Sequence, residues 1–358
     1  MSVDLHVVVP GPIDQRTGGY IYDERVVQGL RKLGWRVVVH SLEGTFPDAD
    51  VIARKSMVST LAGCPVGDRV LIDGLAMGAL PGAIRAEQAR LRLLSLVHHP
   101  LADETGIDAE RRLRFERLER EALGACAGVV VTSEFTAKRL ESYGVDAGRI
   151  RVVHPGTDPA PQAAGPASGD PPCVLCVGAV TPRKAQADLV RALAEQNDLA
   201  WNCLCVGSLD LAPAYATSVR QLIDDCDLRG RIRLAGSCEP EELGGFYDGA
   251  SLFVLPSHYE GYGMAFSEAL ARGLGIVSTT GGAIPLTVPP GARVLVPPGD
   301  VSALGRALRE LLTEPSGAVQ RAAMAAAARR CALTLPSWHE AAERFADVTR
   351  ELTPDGDV

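Results

Sequence analysis

The chain runs to 358 residues, enough for about two domains. With 46% hydrophobic and 22% charged residues it has the balance of an ordinary soluble globular protein. A formal net charge of −8 argues against nucleic-acid binding and against a polybasic membrane anchor, while leaving local anion sites open.

"DLHVVVP" opens the chain as a short β-rich run. In "TGGYIYDERVVQGLRKLGWRVVVH", Tyr22, Val26, Leu30 and Leu33 recur at helical spacing and Gly34 is placed to end the helix. "WRVVVH" then reads as the next strand. Strand, glycine loop, helix, strand is the grammar of a parallel sheet. "RVLID", "LRLLSLVHH", "AGVVVTS" and "RIRVVHP" continue it, with the near-continuous apolar character of strands covered on both faces. Residues 108–121, "DAERRLRFERLERE", interleave five arginines with five acids, which predicts a solvated helix with internal ion pairs and disfavours a membrane-docking face.

Residues 155–172 hold six prolines and three glycines and cannot continue a helix or a central strand. They are the expected boundary between a first domain, 1–154, and a second, 173–335. After them "CVLCVGAV", "WNCLCVGS", "RIRLAGS", "SLFVLPS", "LGIVSTT" and "ARVLVPP" read as strands with helical patterns between most of them. Residues 336–358 are expected to form a last helix packing back on the first domain. The fold expected is α/β: two doubly wound domains across a cleft, with ligands at the C-terminal strand ends.

No apolar stretch is long enough to span a bilayer and no secretory leader is recognisable, so the cytoplasm is the expected compartment. Nine cysteines are an odd count without the spacing of a disulfide framework. Cys173, Cys176, Cys203 and Cys205 lie in strand-like runs, which favours buried thiols over a metal or redox site.

The chemistry concentrates in "SHYEGYGMAFSEALARG", residues 257–273. A helix beginning near Gly263 or Met264 presents free backbone N–H groups and the positive end of its dipole, a site for phosphate. Glu268, about one turn in, suits a vicinal diol such as ribose; Glu260, before the helix, suits another hydroxyl. In "VGAVTPRKAQADL", Arg183 and Lys184 sit at a strand-to-helix loop and together offset the two charges of a diphosphate.

These stretches, with "LAGSCEPEELGGFYDGASLFVLPSHYEGYGMAFSEALARGLGIVSTTGGAIP" and "VLVPPGD", resemble the glycosyltransferase family 4 enzymes of GT-B architecture. The resemblance implies two Rossmann-like domains and retaining transfer of a hexose-type sugar from a nucleotide-activated donor, UDP- or GDP-linked. It implies that Arg183 and Lys184 bind the diphosphate, that Glu268 binds the ribose, and that Glu260, Gly261, Tyr262, Gly263 and Met264 meet donor sugar and phosphate. Relatives often carry a glutamate after "GGAIP" where this chain has Leu286, so that loop is given no role. In the first half, Gly18 and Gly19 resemble the family's glycine-rich loop, and His98 its strand-end histidine facing the donor sugar. His99, pointing to the other side of the strand, and Asp73, Asp103 and Glu104 are candidates for the acceptor side, with helix capping the plain alternative for the acids.

The DxD spacings at Asp48–Asp50, Asp225–Asp227 and Asp355–Asp357 follow no strand in an obvious nucleotide site, and no essential metal or other cofactor is expected. Departure of the diphosphate leaves negative charge on its oxygen, which Arg183, Lys184 and the helix end are expected to meet. With no enzymic nucleophile apparent, the departing phosphate oxygen is expected to take the acceptor's proton. The acceptor, a small soluble molecule or glycan, is not identified by the sequence, and peripheral membrane contact stays open. Rival readings are a nucleotide-sugar epimerase of the same architecture and a non-catalytic nucleotide-sugar-binding protein.

Overall fold

The computed structural model describes residues 3–354. In chain order the first elements are β1 (Leu5–Pro10), α1 (Gly18–Lys32), β2 (Val37–Leu42), α2 (Val51–Gly63), β3 (Arg69–Asp73), α3 (Gly74–Met77) and α4 (Pro81–Glu87). They are followed by β4 (Arg92–Val97), α5 (Ala109–Ala125), β5 (Gly128–Val131), α6 (Glu134–Glu141) and β6 (Ile150–Val152). The alternation resumes with β7 (Cys173–Val177), α7 (Gln186–Ala194), β8 (Asn202–Val206), α8 (Pro213–Asp225), β9 (Ile232–Gly236) and α9 (Pro240–Asp248). Then come β10 (Leu252–Leu255), α10 (Met264–Ala271), β11 (Ile276–Thr279), α11 (Ile284–Thr287) and β12 (Arg293–Val296). Helices α12 (Val301–Leu312), α13 (Ser316–Ala332) and α14 (Trp338–Leu352) close the chain.

The chain divides into two compact units, one of residues 1–156 and 336–358, the other of residues 157–335. Each is built on a six-stranded sheet, ordered β2-β1-β3-β4-β5-β6 in the first and β12-β11-β10-β7-β8-β9 in the second. The strand pairs run parallel, as β1 with β3 and β7 with β10 illustrate. In both sheets the chain reverses its direction of growth, between β1 and β3 and between β7 and β10. Loops leaving such a switch point diverge and open a crevice at the C-terminal strand ends.

Central strands are mainly apolar because helices cover both faces: β1, β5, β10 and β11 are buried at every position, with His6, Ser278 and Thr279 the buried polar exceptions. The edge strands β2 and β12 are partly exposed. Segment 157–172 has no helix or strand but is fastened to its own unit, with Ala163 N–H on Arg272 O at 2.9 Å and Gly165 N–H on Asp248 O at 2.8 Å.

Helix α5 departs in part from the sequence expectation. Its arginines are largely exposed; Arg120 pairs internally with Glu116 at 2.9 Å, while Arg111 and Arg114 reach outside the helix to Asp48. Phe115, Glu119, Ala122 and Leu123, however, form a buried stripe. Glu119 accepts hydrogen bonds from the N–H groups of Leu101 at 2.6 Å and Ala102 at 3.2 Å, which explains an acid on that face.

Helix α14 belongs to the first unit. A capping box between Ser337 and Glu340 starts it, and Ala341, Ala342, Phe345 and Val348 face inward. It packs closely against α1, where a Cβ on Gly29 would stand 2.4 Å from the Cβ of Ala342. Gly29→Val therefore forces the two helices apart. A loss of about 2 kcal/mol is expected, since overpacking outweighs the small gain in helix propensity, and urea unfolding measures it.

Candidate active site

In the second unit the two switch-point loops converge. Strand β7 ends at Val177; Gly178 and Gly207 then pass so closely that a Cβ on Gly207 would lie 2.2 Å from the Gly178 carbonyl oxygen. Pro182–Lys184 form a single 3₁₀ turn. Ala185 ends it with φ +55°, a left-handed conformation unusual for alanine, and is buried. That turn brings both cations to the loop after β10.

There Glu260 is only 4% exposed. Lys184 Nζ donates to its Oε1 at 2.6 Å, Arg183 to its Oε2 at 3.2 Å, and Ser257 Oγ donates to Oε1 at 2.6 Å. Arg183 also donates to the Tyr259 carbonyl at 3.0 Å, while the His258 N–H donates to Arg183 O at 2.8 Å. Burial alone would raise the Glu260 carboxyl above its ordinary 4.5, but Lys184 and Arg183 draw it down to about 2. Burial presses the Lys184 ammonium below its ordinary value against the pull of Glu260. The three side chains carry a net positive charge, two cations against one acid.

Two glycines that sequence reasoning left unused make room for this loop. A Cβ on Gly281 would meet His258 O at 2.3 Å, and one on Gly282 would meet Glu260 O at 2.2 Å. Behind them the Ala283 N–H donates to Glu260 O at 2.8 Å. Past Gly261, Thr287 Oγ1 donates to the carbonyl of buried Tyr262 at 2.7 Å. Gly263 has φ +90° and would drive a Cβ to 2.5 Å from the Phe266 ring, so only glycine fits before Met264 opens α10. Glu268, the fifth residue of α10, is partly buried and accepts a hydrogen bond from the Tyr247 hydroxyl at 2.9 Å. Leu286 is largely exposed.

In the first unit a second group gathers at the C-terminal strand ends. His98, just past β4, directs Nε2 at Asp23 Oδ1, 2.9 Å away, and at Asp73 Oδ2, 3.6 Å away. Gly19 lets the ring in: a Cβ there would stand 3.1 Å from His98 Cδ2, whereas one on Gly18 would meet nothing within 4 Å. Asp73 also caps α3 through the Leu75 N–H at 2.9 Å. Burial and then Asp23 lift the Asp73 carboxyl to about 7. Burial alone would lower the His98 imidazolium, but Asp23 and Asp73 leave it above its ordinary value. The donor atoms of Asp23, Asp73 and His98 lie within 4.8 Å of one another.

Asp23 was missed in the sequence. The available signal was its position four residues after Gly19 and four before Val27, on the buried stripe of α1. The remaining acceptor-side candidates have local partners. His99 turns to Glu104 at 3.3 Å, and Asp103 forms a bidentate pair with Arg139 at 2.8–2.9 Å. Of the DxD acids, Asp50 caps α2, Asp48 pairs with Arg111 and Arg114, Asp225 ends α8, and Asp355–Asp357 lie outside the described residues.

The depressed Glu260 value has a definite sign. Stability from this carboxylate is fully present above about pH 4.5 and is lost as the pH falls through about 2. Lys184, whose shift opposes it, reduces the net gain. Glu260→Gln is expected to cost about 2–3 kcal/mol at pH 7 and to flatten the acid limb, read by urea unfolding at pH 7 and pH 3.

Comparison with known proteins follows the same division. The family Glycosyl transferases group 1 matches residues 161–330, and Glycosyltransferase Family 4 matches residues 68–161. A GDP-mannose-dependent alpha-(1-6)-phosphatidylinositol monomannoside mannosyltransferase of Mycolicibacterium smegmatis is 27% identical over 350 residues, 92% of this chain and 87% of that one. A D-inositol 3-phosphate glycosyltransferase of Kineococcus radiotolerans is 29% identical over 264 residues; the match spans 66% of this chain and 60% of that relative. Among solved structures, sucrose-phosphate synthase from Thermosynechococcus elongatus superposes with a TM-score of 0.79 at 23% identity, covering 99% of this chain and 100% of that one. HepE of Anabaena, in complex with UDP and glucose, gives 0.74 at 17% identity, covering 97% and 99%. The two sheets, their switch points and these matches agree: the chain belongs to the group 1, family 4 glycosyltransferases of GT-B fold.

Proposed function

We propose that the enzyme transfers a hexose from a nucleoside-diphosphate donor, UDP- or GDP-linked, to a hydroxyl of a small soluble acceptor or glycan with retention of configuration. The observation that carries this reading is the buried cluster of Arg183, Lys184 and Glu260 beside the amide-bearing loop of residues 261–264. Two cations balanced by one acid keep a single positive charge for an anionic donor, and the loop adds N–H groups at the start of α10. Glu268, steadied by Tyr247, takes the ribose hydroxyls. In the reaction the bond from the anomeric carbon to the diphosphate oxygen breaks, and the acceptor oxygen bonds to that carbon on the same face. The released phosphate oxygen takes the acceptor's proton. Arg183, Lys184 and the helix end stabilise the departing charge, so no metal or other cofactor is assigned to the step.

His98 is read as the group facing the donor sugar, and Asp23 as the residue that fixes its ring. The relatives named above are transferases and give the epimerase alternative no support. The mannosyl and inositol phosphate enzymes among them favour a polyol hydroxyl as acceptor.

A thermal-shift screen of UDP- and GDP-sugars identifies the donor, since a ligand at a hundredfold excess over its Kd adds about 2.7 kcal/mol. Arg183→Ala and Lys184→Ala are each expected to lower turnover at least tenfold, about 1.4 kcal/mol apiece, and unchanged rates in both refute the assignment. Asp23→Asn is expected to lower kcat more than it alters KM. Because Asp23 raises the His98 value, its loss should move the associated inflection of the pH–rate profile to lower pH.

A further inference from the structure

A second cluster of donor atoms lies at the other end of the first sheet, away from the strand ends that carry His98. His6 is the second residue of β1 and His40 the fourth of β2, while Cys64 follows α2 and Asp68 precedes β3. In the parallel register His6 pairs with Val38, so His40, two residues on, shares its face of the sheet. His6 Nδ1 and His40 Nε2 are 2.9 Å apart, and His6 Nε2 meets Asp68 Oδ2 at 3.0 Å. Nitrogen and sulfur donors from His6, His40 and Cys64 all lie within 4.8 Å of one another. His6 and Cys64 are buried, whereas His40 is half-buried and opens the cluster to solvent.

We propose that this cluster binds one zinc-class divalent cation through His6 Nδ1, His40 Nε2 and Cys64 Sγ, with water as the fourth ligand. Two imidazoles and a thiolate form a donor set suited to zinc and poorly suited to magnesium or calcium. Asp68 accepts from the far nitrogen of His6, which leaves Nδ1 as the lone-pair donor and fixes the ring, the usual outer partner of a ligating histidine. Tetrahedral zinc, with bonds of about 2.0–2.1 Å to nitrogen and about 2.3 Å to sulfur, sets N···N near 3.3 Å and N···S near 3.5 Å. The imidazole nitrogens, 2.9 Å apart, therefore part by about 0.4 Å and the sulfur draws in towards them, changes within reach of side-chain rotation. Without the ion, one proton bridges the two imidazoles. On binding, that proton moves to His40 Nδ1, the Cys64 thiol releases its proton to solvent, and the metal takes both nitrogens and the sulfur. The ion would fasten β1, β2 and the end of α2, and it plays no part in sugar transfer.

The full-length chain, stripped with a chelator, is titrated with Co²⁺ and separately with Zn²⁺. One equivalent of Co²⁺ is expected to give a near-ultraviolet thiolate-to-cobalt charge-transfer band, and Zn²⁺ to raise the melting temperature. Cys64→Ser should abolish the band. His40→Ala, at the half-buried member, should do the same and weaken Zn²⁺ binding by about a hundredfold or more, and Asp68→Asn should weaken it about 10–100-fold. Asp73→Asn should leave band and affinity unchanged. The proposal is overturned if wild type gives no band, or if His40→Ala binds Zn²⁺ as wild type does. Loss of binding in Asp73→Asn also overturns it, by moving the ion to the group around His98.

Discussion

The second unit is organised at its switch point around one buried carboxylate held between two cations. Glu260 and Lys184 lie 76 residues apart and meet only because β7 and β10 are neighbours in the sheet. The contact is a direct product of topology: at the switch point the loops after these strands have no intervening strand to separate them. Arg183 and Lys184 side by side would repel, and burial already disfavours the Lys184 ammonium. Glu260 relieves both costs and leaves the guanidinium and ammonium aimed and desolvated. A buried ion pair of this kind contributes little net stability over an apolar substitute. Its value lies in orientation: under the proposed function, cations fixed in advance need not reorganise as charge develops on a leaving group.

The two glutamates around the start of α10 therefore differ by environment. Glu260 is buried and drawn to about 2, committed to the cations, with Ser257 donating to the same oxygen that Lys184 holds. Glu268 sits one turn into the helix, where the phenol of Tyr247 steers it. Burial, and then Glu268 itself, hold that phenol well above its ordinary value, so it remains a hydrogen-bond donor. The charge at 260 is thus balanced by two cations, and the carboxylate at 268 is held by a neutral phenol.

Strands and motif residues were legible in the sequence for a simple reason. Strands covered on both faces must be apolar at consecutive positions, as "LFVL" of β10 is, and glycines must stand where backbones touch. Less legible were residues whose role depends on a distant partner. Asp23 reads as a polar residue of α1 until His98, 75 residues away, is seen against it. Glu119 reads as one charge among nine in α5 until the amides of Leu101 and Ala102 appear. Both stand on the apolar stripe of their helices, and an acid there signals a partner on the facing element. No such periodicity marks Gly281 and Gly282, because the loop they accommodate belongs to a different strand. The acids of the DxD spacings carried the opposite risk: they are conspicuous in the sequence, yet Asp48 and Asp50 serve as ion-pair and capping residues.

Glu119 also explains how the histidine loop keeps its shape. The chain leaves β4 at Val97, carries His98 and His99, and must then turn sharply at Leu101–Asp103. Each Glu119 oxygen receives one of the turn's N–H groups. Those donors favour the ionised form, but burial dominates and raises the carboxyl to about 8. One residue beyond the two amides, Asp103 grips Arg139 of α6 through both oxygens, at 2.8 and 2.9 Å. The turn is thus clamped from α5 on one side and α6 on the other. His98 inherits that rigidity, and Asp23 fixes the angle of its ring. A side chain on an unclamped loop would need to be ordered afresh at each encounter with a ligand, and that ordering would be taken from binding free energy. The acid on the buried stripe of α5 and the acid on the buried stripe of α1 therefore act on one side chain, the first through the backbone that carries it and the second through its imidazole.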